Sequence, residues 1–240
     1  LSASSAASDV YKRQGLVGGI GLGIAMISFI YSITNTTAAI TLLCLAAMPF
    51  FTALLAFLFL KEKISLNVWI SMIIATVGIM IMAVGNTEKN SLIGFIFGLT
   101  SSIGFSIFSV TLRWRKETPK FTTVAVAGLF CFVIATIMIL ANNQPFFATS
   151  YNSAMFSLHG IIVCLGLILY SIGSKAIQAA ELTLLSLTEV IGGIFWVWLP
   201  LFGINEIPST NTIVGGFFLF VSLIYYSLIM RWNKRYIALN

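Results

Sequence analysis

The sequence predicts an all-α integral membrane protein, a bundle of about eight transmembrane helices. Its composition is 59% hydrophobic and 8% charged, whereas an average soluble domain carries about 25% charged residues. Such a chain has too little polar surface to cover itself in water, but it suits a bilayer. The net charge of +6 does not indicate a nucleic-acid partner, because the basic residues lie in short clusters between apolar runs.

Apolar segments long enough to cross a membrane fill the chain after residue 14. A spanning helix needs about 20 residues, and a backbone in lipid needs internal hydrogen-bond partners, which favours helices over strands. We expect spans at residues 15–34, 37–60, 65–85, 92–113, 121–141, 155–177, 180–202 and 210–230. The longest connector, residues 142–153, contains Pro145 and polar residues that are typical of a loop.

The two ends of the chain differ from the apolar runs. Residues 1–14 are polar and begin without Met, and Lys12 and Arg13 follow the small residues instead of preceding an apolar core. This order excludes a signal peptide, so we interpret the segment as a non-native tail on a chain that lacks its true start. Residues 231–240 are predicted to form a basic cytoplasmic tail.

The distribution of Lys and Arg predicts the orientation. With the start of the first span placed in the cytoplasm, the inside loops hold ten basic residues and the outside loops hold one, Lys89. Cytoplasmic loops of membrane proteins carry an excess of Lys and Arg. The carboxy terminus is therefore expected to be cytoplasmic.

Two distant stretches of the chain repeat one pattern. The first contains Tyr31-Ser32-Ile33, Ala38-Ala39, Glu62, Ser65 and Asn67, and the second contains Tyr170-Ser171-Ile172, Ala179-Ala180, Glu206, Ser209 and Asn211. Glu62 falls in a predicted inside loop and Glu206 in an outside loop, so the copies run in opposite directions. The first span matches the sixth, which predicts an inverted repeat of two five-helix halves with two helices missing from the front. The halves present are residues 15–86, holding the third to fifth helices, and 91–230.

The stretch from Thr37 to Ser65 resembles the fourth-helix motif of the EamA family in the drug/metabolite transporter superfamily. That motif has small residues, a mid-helix Pro and a Glu just past the helix end, which Pro49 and Glu62 match. The second copy keeps Glu206 but has Val190 where the family usually has Pro. The resemblance therefore implies a kink at Pro49 but not at the matching position of the second copy. The resemblance implies ten spans, a central cavity, and outward movement of amino acids, other metabolites, nucleosides or drugs across a bacterial inner membrane.

Glu189 is the leading candidate for substrate or proton binding. It lies near the middle of a predicted span, where a carboxylate costs about 2.5–3.5 kcal/mol on insertion scales. We therefore expect its side chain to face the bundle or a wet cavity and to bind a cationic substrate or the coupling proton. The alternative is a protonated carboxyl that bonds across helices. The matching position of the first copy is Met48, which carries no charge.

Other polar residues within the spans are further candidates for substrate or proton binding. They are Tyr31, Asn35, Ser102, Tyr170 and Ser171. The two tyrosines are favoured because the repeat would bring both toward one cavity. Hydroxyls at membrane depth usually bond neighbouring helices for about 0.6 kcal/mol each, and the small residues Gly94, Gly98 and Ser101 favour close packing around Ser102. The glycine-rich run of residues 15–23 likewise favours close packing.

Four charged residues lie near predicted helix ends. Lys175 and Glu181 flank a tight turn and are expected to anchor the chain at the membrane interface. Glu62 and Glu206 are expected to be solvated loop carboxylates that end helices, and a role in closing the pathway is left open.

No motif in the chain supports enzyme chemistry. The only Asp is Asp9, and the sequence contains no metal-binding His-Glu-x-x-His pattern and no phosphate-binding loop. We expect no catalytic residue, cofactor or metal. The predicted function is secondary transport by alternating access, with a small-molecule substrate, proton coupling and the lipid bilayer as partners; whether the protein is a homodimer is left open. The alternatives are a non-transporting membrane scaffold and, least favoured, an intramembrane enzyme.

Overall fold

The chain is described by a computed structural model that covers residues 2–61, 66–84, 91–114, 120–174 and 209–239 and six single positions between 182 and 199. Within these residues the secondary structure is α-helical, and none of them lies in a strand. The helices are α1 (Ser2–Asn35), α2 (Ala38–Leu45), α3 (Met48–Leu60), α4 (Leu66–Val84), α5 (Ser91–Trp114), α6 (Lys120–Ala141), α7 (Ser150–Gly173) and α8 (Thr210–Leu239).

The described part of the chain contains six stretches that are long and apolar enough to cross a membrane. They are Gln14–Asn35, Ala38–Leu60, Leu92–Trp114, Phe121–Ala141, Ser150–Gly173 and Thr210–Ile229, and α4 adds a shorter apolar stretch, Trp69–Met82. The all-α, multi-pass prediction is confirmed. The predicted span 180–202 lies mostly outside the described residues, so the total of eight spans stays a prediction.

Helix α7 begins earlier than expected. We placed a loop at residues 142–153, but the helix starts at Ser150. The Thr149 hydroxyl accepts a hydrogen bond from the backbone N–H of Asn152 and caps the helix. The polar residues that suggested a longer loop are therefore the capped first turn of a helix.

The expected span 37–60 is two helices instead of one. Helix α2 ends at Leu45, and α3 begins at Met48 with Pro49 in its first turn. Proline has no N–H and its ring clashes with the carbonyl four residues before it, so an unbroken helix through this position is unfavourable. The chain turns at Ala46 and Ala47, where the Ala47 N–H bonds the Cys44 carbonyl at 3.1 Å.

Helix α5 is the central element against which the first helices pack. It runs antiparallel to α1, since Gly104 lies against Gly21 and Gly94 lies against Asn35. It runs parallel to α2 and α3, since Gly98 lies beside Cys44 and the ring of Trp114 lies 6.4 Å from that of Phe59. The glycines of α1 allow this close approach, which confirms the packing role predicted for residues 15–23.

The buried apolar side chains form two clusters. One joins α1, α5 and α6 through Leu22, Phe108, Leu112, Val124 and Ala127. The other joins α2, α3, α4 and α8, with Leu43, Phe50, Met82, Leu219 and Tyr226 among its members. The broken helix α2–α3 therefore lies between the α5 side of the bundle and the α4–α8 pair.

Helices α4 and α8 cross antiparallel at two small-residue contacts. Gly78 lies against Gly215, and the Ser222 hydroxyl donates to the Ser71 carbonyl at 2.6 Å. The repeat register that aligns Asn67 with Asn211 also aligns position 71 with 215 and position 78 with 222. When each residue of the Ser71–Ser222 contact is replaced by its counterpart, the pair becomes Gly215–Gly78, which is the other contact. The two contacts are therefore related to each other as in a two-fold interface.

Candidate functional site

Tyr31 packs on the N-terminal half of α5. Its ring is stacked with that of Phe97 at a centroid distance of 5.1 Å. Its hydroxyl donates to the sulfur of Met138 on α6 at 3.4 Å. The side chain is half-buried and touches both α5 and α6.

Tyr170, its repeat counterpart on α7, packs on the C-terminal half of the same helix. Its ring contacts Phe105 at 5.1 Å and Phe108 at 5.9 Å, and its hydroxyl shares a hydrogen bond of 2.8 Å with Ser109. Along α5, Phe108 lies about 16 Å from Phe97. Both tyrosines therefore contact α5, but in its opposite halves, and their binding role stays a prediction.

The serines that follow the two tyrosines differ in hydrogen bonding. Ser32 is fully buried and shares a hydrogen bond of 2.8 Å with the Thr41 hydroxyl on α2. Ser171 is equally buried, but its hydroxyl has no hydrogen-bond partner. Aligning Ala38-Ala39 with Ala179-Ala180 places Leu182 at the position of Thr41. The second copy thus has the apolar Leu182 at the position where the first copy has Thr41, the hydrogen-bond partner of Ser32.

Asn35 ends α1, and its side-chain amide donates to the Tyr31 carbonyl at 2.8 Å. This bond ties the amide to the last turn of its own helix. Two more buried hydroxyls without partners, those of Thr36 and Thr52, were not among the predicted candidates. No periodicity distinguishes them in the sequence, because a Thr in an apolar run usually bonds a carbonyl of its own helix.

Ser102 and Ser106 of α5 bond carbonyls on either side of the α2–α3 interruption. The Ser102 hydroxyl donates to the Cys44 carbonyl at 2.5 Å, and the Ser106 hydroxyl donates to the Met48 carbonyl at 3.1 Å. Both serines are fully buried. Ser102 therefore holds the interrupted helix against α5, and any contact with substrate stays a prediction.

Glu189 is helical and exposed, and Gly193, four residues later in the sequence, is helical as well. A Cβ atom added at Gly193 would lie 2.8 Å from Leu42 Cδ1, so this part of the chain passes close to α2. Gly193 thus marks where this part of the chain meets α2, and the binding role of Glu189 stays a prediction.

Four predicted residues lie outside the described part of the chain: Glu62, Lys175, Glu181 and Glu206. Their predicted roles at helix ends and at the interface stay predictions. Among the residues that the structure describes, no group of three or more His, Cys, Asp or Glu side chains could hold a metal ion.

The sequence is similar to known transporters. Residues 5–84 match the EamA-like transporter family. The pseudopaline exporter CntI of Pseudomonas aeruginosa is 23% identical over 220 residues, which cover 89% of this chain and 75% of the relative. The chain is therefore similar to EamA-like transporters. The match with the family begins within residues 1–14, whose interpretation as a non-native tail stays a prediction.

Other relatives of this EamA-like chain are matched over part of their length. An uncharacterized transporter of Helicobacter pylori is 29% identical over 130 residues, which are 54% of this chain and 44% of the relative. The match thus spans less than half of that protein. A crystal structure superposes with a TM-score of 0.57 at 17% identity, covering 89% of this chain and 75% of the solved one, and it supports the fold alone.

Proposed function

We propose that this EamA-like chain carries the pathway of a secondary transporter that exports small metabolites, amino acids or drugs across a bacterial inner membrane. Transport would proceed by alternating access around a site near the middle of the membrane. The match of residues 5–84 with a transporter family supports transport, and a relative named as an exporter supports the outward direction. The absence of substrate-dependent flux would favour the non-transporting scaffold instead.

The main support for this proposal is the pair of contacts between α4 and α8 that the repeat relates to each other. Ser71–Ser222 and Gly78–Gly215 are related by the repeat register, and the two helices run in opposite directions. Both properties are expected of inverted repeats, which in many secondary transporters place the substrate site at the interface of the halves. They support two inverted five-helix halves with one pathway between them.

The exposure of α7 supports the ten-helix form of the whole protein. Its repeat counterpart α1 is covered by α5 and α6, the first two helices of the second half. The corresponding helices of a first half would cover α7 in the same way. We expect a protein with such a pair to bury the face that carries Phe156 and Leu165, which is exposed here.

Glu189 is the proposed polar centre of the pathway. A carboxylate at membrane depth is costly unless it meets water, a proton or a positive partner. Gly193, four residues after Glu189 in the sequence, lies beside Leu42 of α2, which supports a place for Glu189 between the two copies of the repeat. We propose that it binds a cationic part of the substrate or the coupling proton.

The test is flux into and out of liposomes that contain the purified chain. Glu189→Gln is expected to lower substrate flux by about tenfold or more, because a charge-assisted hydrogen bond contributes about 1.5–3 kcal/mol. The pH dependence of flux should weaken as well. Glu181→Gln makes the same change near the predicted interface and is the matched control.

Equal flux and equal pH dependence in Glu189→Gln, at the same amount of protein in the liposomes, would contradict the role of this residue. A loss of the same size in Glu181→Gln would show that any carboxyl of this region has the effect.

A further inference from the structure

We propose that the turn between α6 and α7, residues 142–149, forms with Tyr151 a lipid-binding surface that enters the headgroup layer of the outer leaflet. The partner is the glycerol and upper acyl region of phospholipids. This contact would anchor the end of the α6–α7 hairpin in the membrane surface. It does not depend on what the protein transports.

Three aromatic side chains at the turn are largely uncovered by protein. Phe147 is 87% exposed, Tyr151 is 72% exposed and Phe146 is 55% exposed. The two phenylalanines lie in the turn itself, and Tyr151 lies in the first turn of α7. Removing such rings from water is favourable, and tyrosine is enriched where a membrane meets water because its ring is apolar and its hydroxyl is polar.

The lengths of the two helices place the turn at the level of the headgroups. Helix α6 has 22 residues and α7 has 24, so they rise about 33 Å and 36 Å. The hydrocarbon core of a bilayer is about 30 Å thick. Lys120 begins α6 and Lys175 follows α7, which favours one membrane surface for both of these ends. The turn then lies where the hydrocarbon core ends at the opposite surface, which the charge distribution predicts to be the outer one.

The sequence of the hairpin contains no charge that would hold the turn in water. No Asp, Glu, Lys or Arg occurs between Lys120 and Lys175. The connection between α4 and α5, which is predicted to lie on the same side of the membrane, carries Glu88 and Lys89. Removing a charge from water is costly, and the α6–α7 turn does not meet this cost.

The backbone of the turn is closed by its own hydrogen bonds. Asn143 has a left-handed conformation with φ of 49°. Its N–H donates to the Leu140 carbonyl at 3.3 Å, and the Gln144 N–H donates to the Ile139 carbonyl at 3.0 Å. This pair of bonds is the Schellman arrangement, which satisfies carbonyls at the end of a helix. It also fixes the direction in which the chain leaves α6 toward Pro145 and the two phenylalanines.

Polar side chains around the turn also bond to its own backbone. The Asn142 amide donates to the Met138 carbonyl at 2.8 Å, and the Gln144 amide donates to the Asn142 carbonyl at 3.4 Å. The Ser153 hydroxyl donates to the Ala148 carbonyl at 3.3 Å. A polar group that leaves water is costly unless it has such a partner. These bonds therefore lower the cost of placing the turn in the membrane surface.

The apolar surface of α6 next to the turn identifies lipid as the partner. Ile137 and Leu140 are exposed large apolar side chains in the last two turns of this helix. In a helix that spans a membrane, such side chains meet acyl chains, which are as apolar as leucine. The lipid that covers Leu140 also reaches the rings that follow it in the turn.

The test is the depth of a fluorescent label at Ala148→Cys in the full chain in nanodiscs, where both membrane surfaces are accessible. Ala148 is exposed, and its replacement keeps all three rings. Cys131→Ser and Cys164→Ser remove the two other cysteines that are not buried, so that a nitrobenzoxadiazole label attaches at position 148. Thr87→Cys, beside Glu88 and Lys89, carries the same label in the matched control chain.

We expect dithionite, which acts from water, to reduce the label at position 148 about tenfold or more slowly than the label at position 87. A change of this size is expected when a group as large as an aromatic ring leaves water. Phospholipids with a nitroxide near the top of the acyl chain should quench the label at position 148 and not the label at position 87.

The contribution of the rings is tested by replacing Phe146 and Phe147 together with serine in the Ala148→Cys chain. The label should then be reduced about as fast as the label at position 87. Phe156→Ser removes an exposed ring of the same kind from the middle part of α7 and is the matched control. It should leave the rate of reduction at position 148 unchanged.

Equal rates of reduction at positions 148 and 87 would overturn the proposal. Slow reduction at position 148 without quenching by the nitroxide lipids would also overturn it, because protein and not lipid would then cover the turn. An unchanged rate after both phenylalanines are replaced would contradict their role as the anchor. None of these measurements uses substrate flux, so this proposal and the transport function fail separately.

Discussion

Helices α1 and α7 carry the two copies of the Tyr-Ser-Ile sequence pattern, yet their surroundings differ. In the most apolar stretch of α1, 44% of the residues are buried, against 6% in α7. Helix α1 lies against α5 and α6, whereas α7 reaches α5 mainly through the ring and hydroxyl of Tyr170. Two helices of similar apolar character therefore end in different environments because their neighbours differ.

The same contrast holds for single hydroxyl groups. Ser32 of α1 and Ser171 of α7 are both fully buried, but only Ser32 has a partner, Thr41. A buried hydroxyl without a partner costs about 1–3 kcal/mol. The first copy has therefore kept the hydrogen bonds of a packed scaffold, while the second keeps a polar group that its own helices do not satisfy.

The largest expected effect is on the packing of α1. A Cβ atom at Gly104 would lie 2.6 Å from the Gly21 carbonyl oxygen, and backbone at this distance cannot give way without moving the helix. Gly104→Ala is expected to lower the free energy of unfolding by about 1–3 kcal/mol. Gly160→Ala on α7 meets nothing within 4 Å and should be close to neutral. Chemical unfolding of the two variants in detergent measures the difference, and equal losses would break the contrast between the helices.

Smaller changes in the free energy of unfolding, of opposite sign, are expected when Ser32 and Ser171 are replaced. Ser32→Ala removes the bond to Thr41 and should lower the free energy of unfolding by about 1 kcal/mol. Ser171→Ala removes a buried hydroxyl that has no partner and should raise it by up to about 1 kcal/mol. Unfolding curves of both variants test the signs. If Ser171→Ala lowered the free energy of unfolding, the expected difference between the paired Ser32 and the unpaired Ser171 would be wrong. A stable Ser171→Ala variant with reduced substrate flux would indicate that this hydroxyl binds the substrate.

The smallest effect is expected for the tyrosine hydroxyls. Tyr170→Phe removes the hydrogen bond to Ser109 and should lower the free energy of unfolding by about 0.6 kcal/mol. Tyr31→Phe removes only a bond to the thioether of Met138, a weak acceptor, and should cost less. The same unfolding assay compares them. A larger loss of unfolding free energy in Tyr31→Phe than in Tyr170→Phe would contradict this expectation.

The sequence predicted the features that depend on local chemistry. Long apolar runs gave the helices, the glycines of α1 indicated close packing, and Pro49 indicated a disturbed helix. It did not predict that Pro49 separates two helices, because the length of the interruption depends on the carbonyls that Ser102 and Ser106 hold. It placed the start of α7 too late, because a polar first turn with a capping Thr149 resembles a loop.

The candidate site was predictable in part for the same reason. Glu189 could be singled out because a carboxylate in an apolar run is costly wherever the run packs. The bond of Ser32 to Thr41 and the bonds of Ser102 and Ser106 to the carbonyls of Cys44 and Met48 could not be predicted, because hydrogen bonds between separate helices leave no periodic trace in the sequence.

The sequence alone determined that this chain is helical and apolar enough to lie in a membrane, and it predicts two related halves, since hydrophobicity and the repeat are properties of residue order. Only the tertiary structure decided which helix is covered, which hydroxyl is paired, and which carbonyls of the α2–α3 turn accept from α5. These depend on the relative positions of segments far apart in the chain, and in a membrane nearly all helix surfaces are equally apolar, so hydrophobicity does not select one arrangement.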